Sequence, residues 1–396
     1  MNCKMSEHLM NTYARQAVTF THGEGVWLWD TEGKRYLDGL AGIAVNGLGH
    51  AHPQLLAAIN EQAGRLIHVS NVYGIAEQAK LADKLCAVSG MDKVFLCNSG
   101  CEANEAAIKL ARLYGHQKGV ENPEIIVMER AFHGRTLATL SATGNRKTQA
   151  GFEPLVSGFI RVPFDDLDAI RQVAAHHPNV VAILLEPIQG EGGINVPKDV
   201  AAYFRGLRDI ADENGWLLML DEVQSGVART GTWFAFQHTE VLPDVMTLAK
   251  GLGSGVPIGA CLARGAAAEV FTYGKHGSTF GGNPLASAAG LATLNIIEQH
   301  GLLAHAEKLG NWINQAFTEQ LKGVTGVTTI RNAGLMIGIE LDRPCGELVK
   351  QALDAGLLIN VTADKVIRLL PPLIMTEQEA GQLVDTLTPL IKRFLA

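Results

Sequence analysis

Lys250 is the single charged residue in "LAKGLGSGVPIGACLA" (248–263), set among apolar groups and glycines. Lysine is one of the residue types least often buried, so its position here asks for a chemical reason. Taken out of water, its amine becomes a nucleophile able to form a Schiff base with an aldehyde. Asp221 ends the apolar run "WLLML" (216–220). A carboxylate at the end of a buried strand can keep a heterocyclic ring nitrogen protonated. Ser99 and Gly100 stand between "KVFL" (93–96) and a helical pattern. A strand, a glycine turn and a helix amino terminus present free N–H groups and a positive dipole end, which suits a phosphate. Taken singly, each has a plainer explanation. Asp221 would serve as a helix cap, Lys250 as a core-edge residue reaching for water, and Ser99-Gly100 as an ordinary helix start.

The elements that would bring these residues together have a recognisable rhythm. "GVWLWDTEGKRYLDGLAG" reads as a small hairpin followed by a loop. From about residue 76, short β-branched runs alternate with helical patterns, the signature of βαβ units and a largely parallel sheet. The runs are "KVFL" (93–96), "EIIVM" (124–128), "VVAILL" (180–185), "WLLML" (216–220) and "DVMTLA" (244–249). After them come Asn98-Ser99-Gly100, then Phe132, His133 and Arg135, then Glu186, Asp221 and Lys250 respectively. Open α/β sheets bind ligands outside the carboxyl ends of their strands, so this convergence predicts one site. Ala103, Ala106, Ala107, Leu110, Ala111 and Tyr114 form one helical stripe, placing a helix start near Cys101. Glu105 and Lys109 are spaced to pair on its other face. Beyond about residue 285, a long amphipathic segment and the strands "TTIRNAG" and "LMIGIEL" predict a separate α+β tail domain.

Composition narrows the class. The 396 residues suit two or three domains, and 47% apolar with 18% charged residues suits a globular protein. A formal charge of −7 without basic runs argues against nucleic acid and anionic membrane as partners. Apolar runs are too short to cross a bilayer, and the amino terminus lacks a secretory core, so a soluble cytoplasmic protein is expected. The six cysteines show no CxxC or zinc spacing, which predicts reduced thiols and no metal site. GxxxxGK[ST], HExxH and GxSxG are absent, and no GxGxxG opens the first βαβ unit. A nucleotide-dependent oxidoreductase is therefore disfavoured, and the presence of both Lys250 and Asp221 disfavours a non-catalytic binding protein. A Schiff-base lysine, an acidic partner for a ring nitrogen and a phosphate site are together the parts that pyridoxal phosphate requires.

"NSGCEANEAAIKLAR", "FHGRTLATLSATG", "LLEPIQGEGG", "LDEVQSGVARTG", "AKGLGSGVPIGA" and "GSTFGGNPLASAA" follow one another along the chain. In that order they resemble the class III aminotransferases of pyridoxal-phosphate fold type I, over nearly the whole length. The resemblance implies an α/β fold: a large domain with a mostly parallel central sheet flanked by helices, plus a smaller α+β C-terminal domain. It divides the chain into an N-terminal segment (1–65), a cofactor-binding domain (66–285) and the small domain (286–396). "GEGVWLWDTEGKRYLDGLAGIAVNGLGHAHP" is most similar to the branch of the family that acts on N2-acetylornithine with 2-oxoglutarate in arginine biosynthesis. Sister branches act on succinylornithine, succinyldiaminopimelate, ornithine or 4-aminobutyrate.

By the same resemblance Lys250 would carry the cofactor and shuttle the proton. Asp221 would pair with its ring nitrogen, Gln224 would reach its hydroxyl and Phe132 would stack on its ring. Ser99, Gly100 and Cys101 would hold the phosphate, Cys101 standing where alanine or threonine is usual. Thr279 would reach the phosphate of a second subunit, implying a homodimer. Arg135 would grip a distal substrate carboxylate and Arg368, in "IRLLPP", the carboxylate next to the reacting carbon. Ser278 would contact the acylated substrate. Glu191 matches a switch glutamate that pairs with Arg368 and swings away when glutamate binds; a fixed structural ion pair is the alternative.

Overall fold

The computed structural model describes residues 8–396, so "MNCKMSE" and Cys3 lie outside the described part. Among the described residues, fifteen strands form three sheets. The hairpin expected near the amino terminus is present as β2 (Trp27–Asp30) and β3 (Arg35–Asp38), preceded by β1 (Phe20–Glu24). The central sheet contains β4 (Lys93–Cys97), β5 (Glu124–Met128), β6 (Phe159–Val162), β7 (Val180–Leu185), β8 (Leu217–Asp221), β9 (Val245–Leu248) and β10 (Gly259–Ala263). The C-terminal part adds β11 (Val327–Ala333), β12 (Met336–Leu341), β13 (Leu357–Leu358), β14 (Asn360–Thr362) and β15 (Val366–Leu369).

The central sheet has the order β4-β10-β9-β8-β7-β5-β6. All neighbours are parallel except β10, which runs antiparallel to both β4 and β9. Every residue of β7, β8 and β9 is buried. That explains why these strands read as unbroken apolar runs, since a parallel sheet is covered by helices on both faces. The five strands expected from sequence are present within a residue or two. Two more, β6 and β10, leave no clear pattern in the sequence. Arg161 interrupts β6, and in β10 the small residues of "GACLA" read as an extension of the glycine-rich stretch after Lys250.

The second sheet, β1-β2-β3-β13, joins residues far apart in sequence, with β13 parallel to β3. The third, β11-β12-β15-β14, is antiparallel. The long amphipathic segment after residue 284 is two helices, Pro284–Gln299 and Leu302–Gln320, broken at Gly301 with φ 61°. A glycine carries that left-handed turn at no steric cost. No helix among the described residues is long and apolar enough to cross a membrane.

Candidate active site

The helix Gly100–Gln117 starts where the stripe predicts, and Ala103, Ala106, Ala107, Leu110 and Ala111 bury that stripe. Ser99 caps it, its side chain accepting from the Glu102 amide at 3.2 Å. Glu102 reaches back and accepts from both the backbone and side-chain nitrogens of Asn98, each at 2.8 Å. Gly100 is required by packing: a Cβ there would lie 2.8 Å from Val223 Cγ1. Its absence lets the loop after β8 press against the helix start, while the first-turn N–H groups stay free of intrahelical partners. The Cys101 thiol accepts from the Arg135 amide at 3.2 Å, tying the loop after β5 to the same place. The expected Glu105–Lys109 pair is not formed. Lys109 Nζ lies 2.8 Å from His276 Nδ1, and Glu105 accepts from the Thr136 hydroxyl. A helix-surface ion pair worth a few tenths of a kcal/mol yields easily to such tertiary partners.

Asp221, at the carboxyl end of β8, is held from three sides. Its Oδ2 accepts from Asn104 Nδ2 at 2.7 Å and from His133 Nδ1 at 2.8 Å, and its Oδ1 accepts from the Val223 amide at 3.0 Å. Asn104 is fixed in turn, donating to the His133 carbonyl at 2.8 Å and accepting from Thr247 Oγ1, on β9, at 2.7 Å. Three donors converging on this buried carboxyl fix its direction. His133 Nε2 is buried without a partner. Nearby, Glu186 Oε1 accepts from the Phe132 amide at 2.9 Å and Oε2 from the Gly190 amide at 3.0 Å. Burial, reinforced by the charge of Asp221, pushes the Glu186 carboxyl up to about 7.

Lys250 follows β9 and opens a short 3₁₀ turn with φ 42°. A left-handed non-glycine residue costs of order 1–3 kcal/mol, a strain typical of functional sites. Its side chain is half-buried by area, lines the cavity, and makes no hydrogen bond or ion pair with another described residue. Burial first, and then the positive charge of Arg368, hold its ammonium below the usual lysine range. Both effects make the free amine, the nucleophilic form, easier to reach.

Arg368, on β15, is fully buried. Its Nη1 pairs with Glu191 Oε1 at 2.8 Å and also donates to Gln224 Oε1 at 3.4 Å; Nε donates to Asn360 Oδ1 at 3.1 Å. Nη2 is buried and has no partner, so part of the guanidinium fork is free for a carboxylate. The Arg135 guanidinium is exposed and stands 5.7 Å from the centroid of the Phe132 ring.

A cavity of about 340 Å³ is lined by Ser99, Gly100, Cys101, Phe132, Asp221, Gln224 and Lys250. These seven expected residues are thus brought together at the strand ends. Arg368 and Glu191 adjoin them through Gln224. Ser278 and Thr279 are not part of the lining. Ser278 Oγ accepts from Asn98 Nδ2 at 3.1 Å, whereas Thr279 is exposed. In the sequence His133 and Glu186 are strand-end residues without a role, and Asn104 and Thr247 pass unnoticed. Asn104 does leave a signal there, because a polar side chain beside a buried alanine stripe must find partners inside.

The cavity-lining lysine without a partner, the fixed aspartate and the open helix start fit a phosphorylated pyridine aldehyde bound through a Schiff base. This defines the class as a pyridoxal-phosphate enzyme. Residues 10–391 match the family model described as "Aminotransferase class-III", and the chain belongs to that family. It is 64% identical over 388 residues to the acetylornithine aminotransferase of Nitrosomonas europaea, covering 98% of each chain. To acetylornithine aminotransferase 1 of Bordetella bronchiseptica it is 60% identical, covering 99% of each. Among solved structures, the ornithine aminotransferase of Toxoplasma gondii superposes with a TM-score of 0.94 at 33% identity, covering 98% of this chain and 93% of that one. The acetylornithine aminotransferase of Elizabethkingia anophelis gives 0.88 at 36% identity, covering 98% and 97%.

Proposed function

We propose that this enzyme transfers the terminal amine of N2-acetylornithine to 2-oxoglutarate, giving N-acetylglutamate 5-semialdehyde and glutamate by a ping-pong cycle. The observation that carries the reading is the Glu191–Arg368 pair beside the Lys250 cavity. Pyridoxal phosphate, when bound, supplies the electron sink that lets a substrate carbon release its proton. Gly100 and Cys101 would give their N–H groups to its phosphate, with Ser99 holding the helix start in place. Phe132 would stack on the ring, Asp221 would pair with the ring nitrogen and Gln224 would reach the ring hydroxyl. Lys250 would hold the group covalently, and once released its Nζ would be the base that takes the proton from the amine-bearing carbon.

Two substrates must share this site. Acetylornithine carries its carboxylate far from the reacting carbon, where Arg135 would receive it, with Ser278 as a further contact to the acylated substrate. Glutamate carries a second carboxylate beside that carbon, where Arg368 receives it through a bidentate fork. With acetylornithine bound, Arg368 would be an unpaired buried charge at a cost of about 3–5 kcal/mol. Glu191 removes that cost by pairing with it, and swings away for glutamate.

A homodimer is part of the reading. Val72, Tyr73 and Phe280 are exposed large apolar side chains. The segments that carry them are joined, since Asn71 donates to the carbonyls of Ser278 and Gly281. Exposed apolar patches of this kind mark interfaces. Thr279 belongs to the segment joined to that patch, and in this reading it would complete the phosphate site of a second copy.

The test is the absorption spectrum of the protein loaded with pyridoxal phosphate, before and after N2-acetylornithine is added without a keto acid. Bleaching of the yellow form, and its return with 2-oxoglutarate, is the expected result. Bleaching by ornithine, 4-aminobutyrate or a succinylated substrate, but not by acetylornithine, would move the enzyme to a sister branch. A protein that never turns yellow would overturn the role of Lys250.

A further inference from the structure

The turn that carries Glu191 is held by the C-terminal sheet. Gly193 has φ 117° and Ile194 φ 54°, so the backbone here turns sharply and needs outside support. Thr362, on β14, donates its hydroxyl to the Glu191 carbonyl. Arg331, on β11, donates from Nε to the Ile194 carbonyl at 2.8 Å and to that of Gly193 at 3.2 Å, and Nη2 donates to Gly193 as well. The guanidinium is fixed from behind by Glu340 of β12, whose Oε2 pairs with Nη1 at 2.7 Å; Lys365 Nζ holds the other oxygen at 2.6 Å. Arg368 belongs to the same sheet, on β15. Both halves of the gate, the arginine and the base of its glutamate, are therefore mounted on one rigid element.

We propose that Arg331 is a positioning residue of the Glu191–Arg368 gate and sets how well the site tells a monocarboxylate substrate from a dicarboxylate one. The inference rests on the gate reading above. With its base clamped, Glu191 reaches Arg368 at 2.8 Å and leaves by side-chain rotation alone. With the clamp loosened, the turn wanders and the closed pair is the state that suffers. A ligand with one distal carboxylate needs the gate closed. A dicarboxylate displaces Glu191 and does not.

The test is equilibrium binding by calorimetry, with two unreactive probes and the cofactor-loaded enzyme. N-acetylnorvaline carries one carboxylate and glutarate carries two. Arg331→Ala is expected to weaken N-acetylnorvaline about tenfold and glutarate less than about twofold, a split of roughly 1.4 kcal/mol per tenfold. Arg331→Lys keeps the Glu340 pair but replaces a planar fork with a point charge that cannot hold both carbonyls, and should shift binding the same way. It guards against a loss that reflects unfolding alone. Equal weakening of both probes in both variants would overturn the proposal. If Glu191→Gln fails to separate the probes, the gate itself fails and this inference with it. If Glu191→Gln separates them and the Arg331 variants do not, only the positioning role is lost. In the double variant Glu191→Gln with Arg331→Lys, the split should match that of Glu191→Gln alone, since both act through one pair. Additive losses would assign Arg331 a structural role only and overturn the proposal.

Discussion

At the scale of single residues, environment decides what each side chain can do. Lys250 has an ordinary amine made reactive by burial and by the charge of Arg368. Replacing it with alanine should slow the acetylornithine half-reaction at least about 10²–10⁴-fold, the range for losing a positioned acid–base group; single-turnover absorbance would measure this. Glu186 illustrates the opposite behaviour. Its carboxyl titrates at about 7 in the folded protein, against 4.5 for a glutamate in water. Between those values the folded state keeps a proton that the unfolded chain releases, so stability falls as pH rises through the window. At about 1.4 kcal/mol for each pH unit of that window, the whole effect is roughly 3 kcal/mol. Urea denaturation of the cofactor-free protein at pH 5 and 7.5 should show this loss, and Glu186→Gln should reduce it without abolishing it, because burial also raises the Glu222 carboxyl to about 7. An unchanged slope in the variant would mean that Glu186 is ionised throughout.

At the scale of elements, the site depends on strand ends meeting one helix start. Gly100 is the point where β4, the helix Gly100–Gln117 and the loop after β8 touch. Gly100→Ala places a methyl 2.8 Å from Val223 Cγ1, so either the helix start or that loop must shift. The expected outcome is about a tenfold weaker hold on pyridoxal phosphate, roughly the worth of one charge-assisted hydrogen bond. Quenching of intrinsic fluorescence on titration with the cofactor would read it. Unchanged affinity would mean that the N–H groups of this turn do not carry the phosphate.

For the molecule as a whole, the dimer reading rests on the exposed apolar side chains Val72, Tyr73 and Phe280. Tyr73→Asp combined with Phe280→Asp should turn a dimer into a monomer in sedimentation and weaken cofactor retention, because Thr279 then has no neighbouring phosphate to reach. Thr279→Ala alone should weaken the cofactor while leaving the dimer intact. A parent protein that sediments as a monomer at micromolar concentration would end the dimer reading.

The sequence alone determined what local patterning controls. Fully buried parallel strands must be apolar along their whole length, which is why β5, β7, β8 and β9 are legible almost to the residue. Residues at or just past strand ends, Ser99 after β4, Phe132 after β5, Asp221 closing β8 and Lys250 after β9, stand out because polar, aromatic or glycine-flanked groups at such ends need a purpose. Strand β10 is hidden, because its small residues look like a glycine loop until β4 and β9 close on either side. Tertiary structure alone decided which distant groups meet. Asn104 and His133 reach Asp221 from 117 and 88 residues away, and Arg331 reaches the Glu191 turn from 138 residues away. No local periodicity encodes such contacts, since they exist only once separate elements have packed. The Glu105–Lys109 pair shows the same rule in reverse: its spacing permits the contact, but packing offers both side chains other partners.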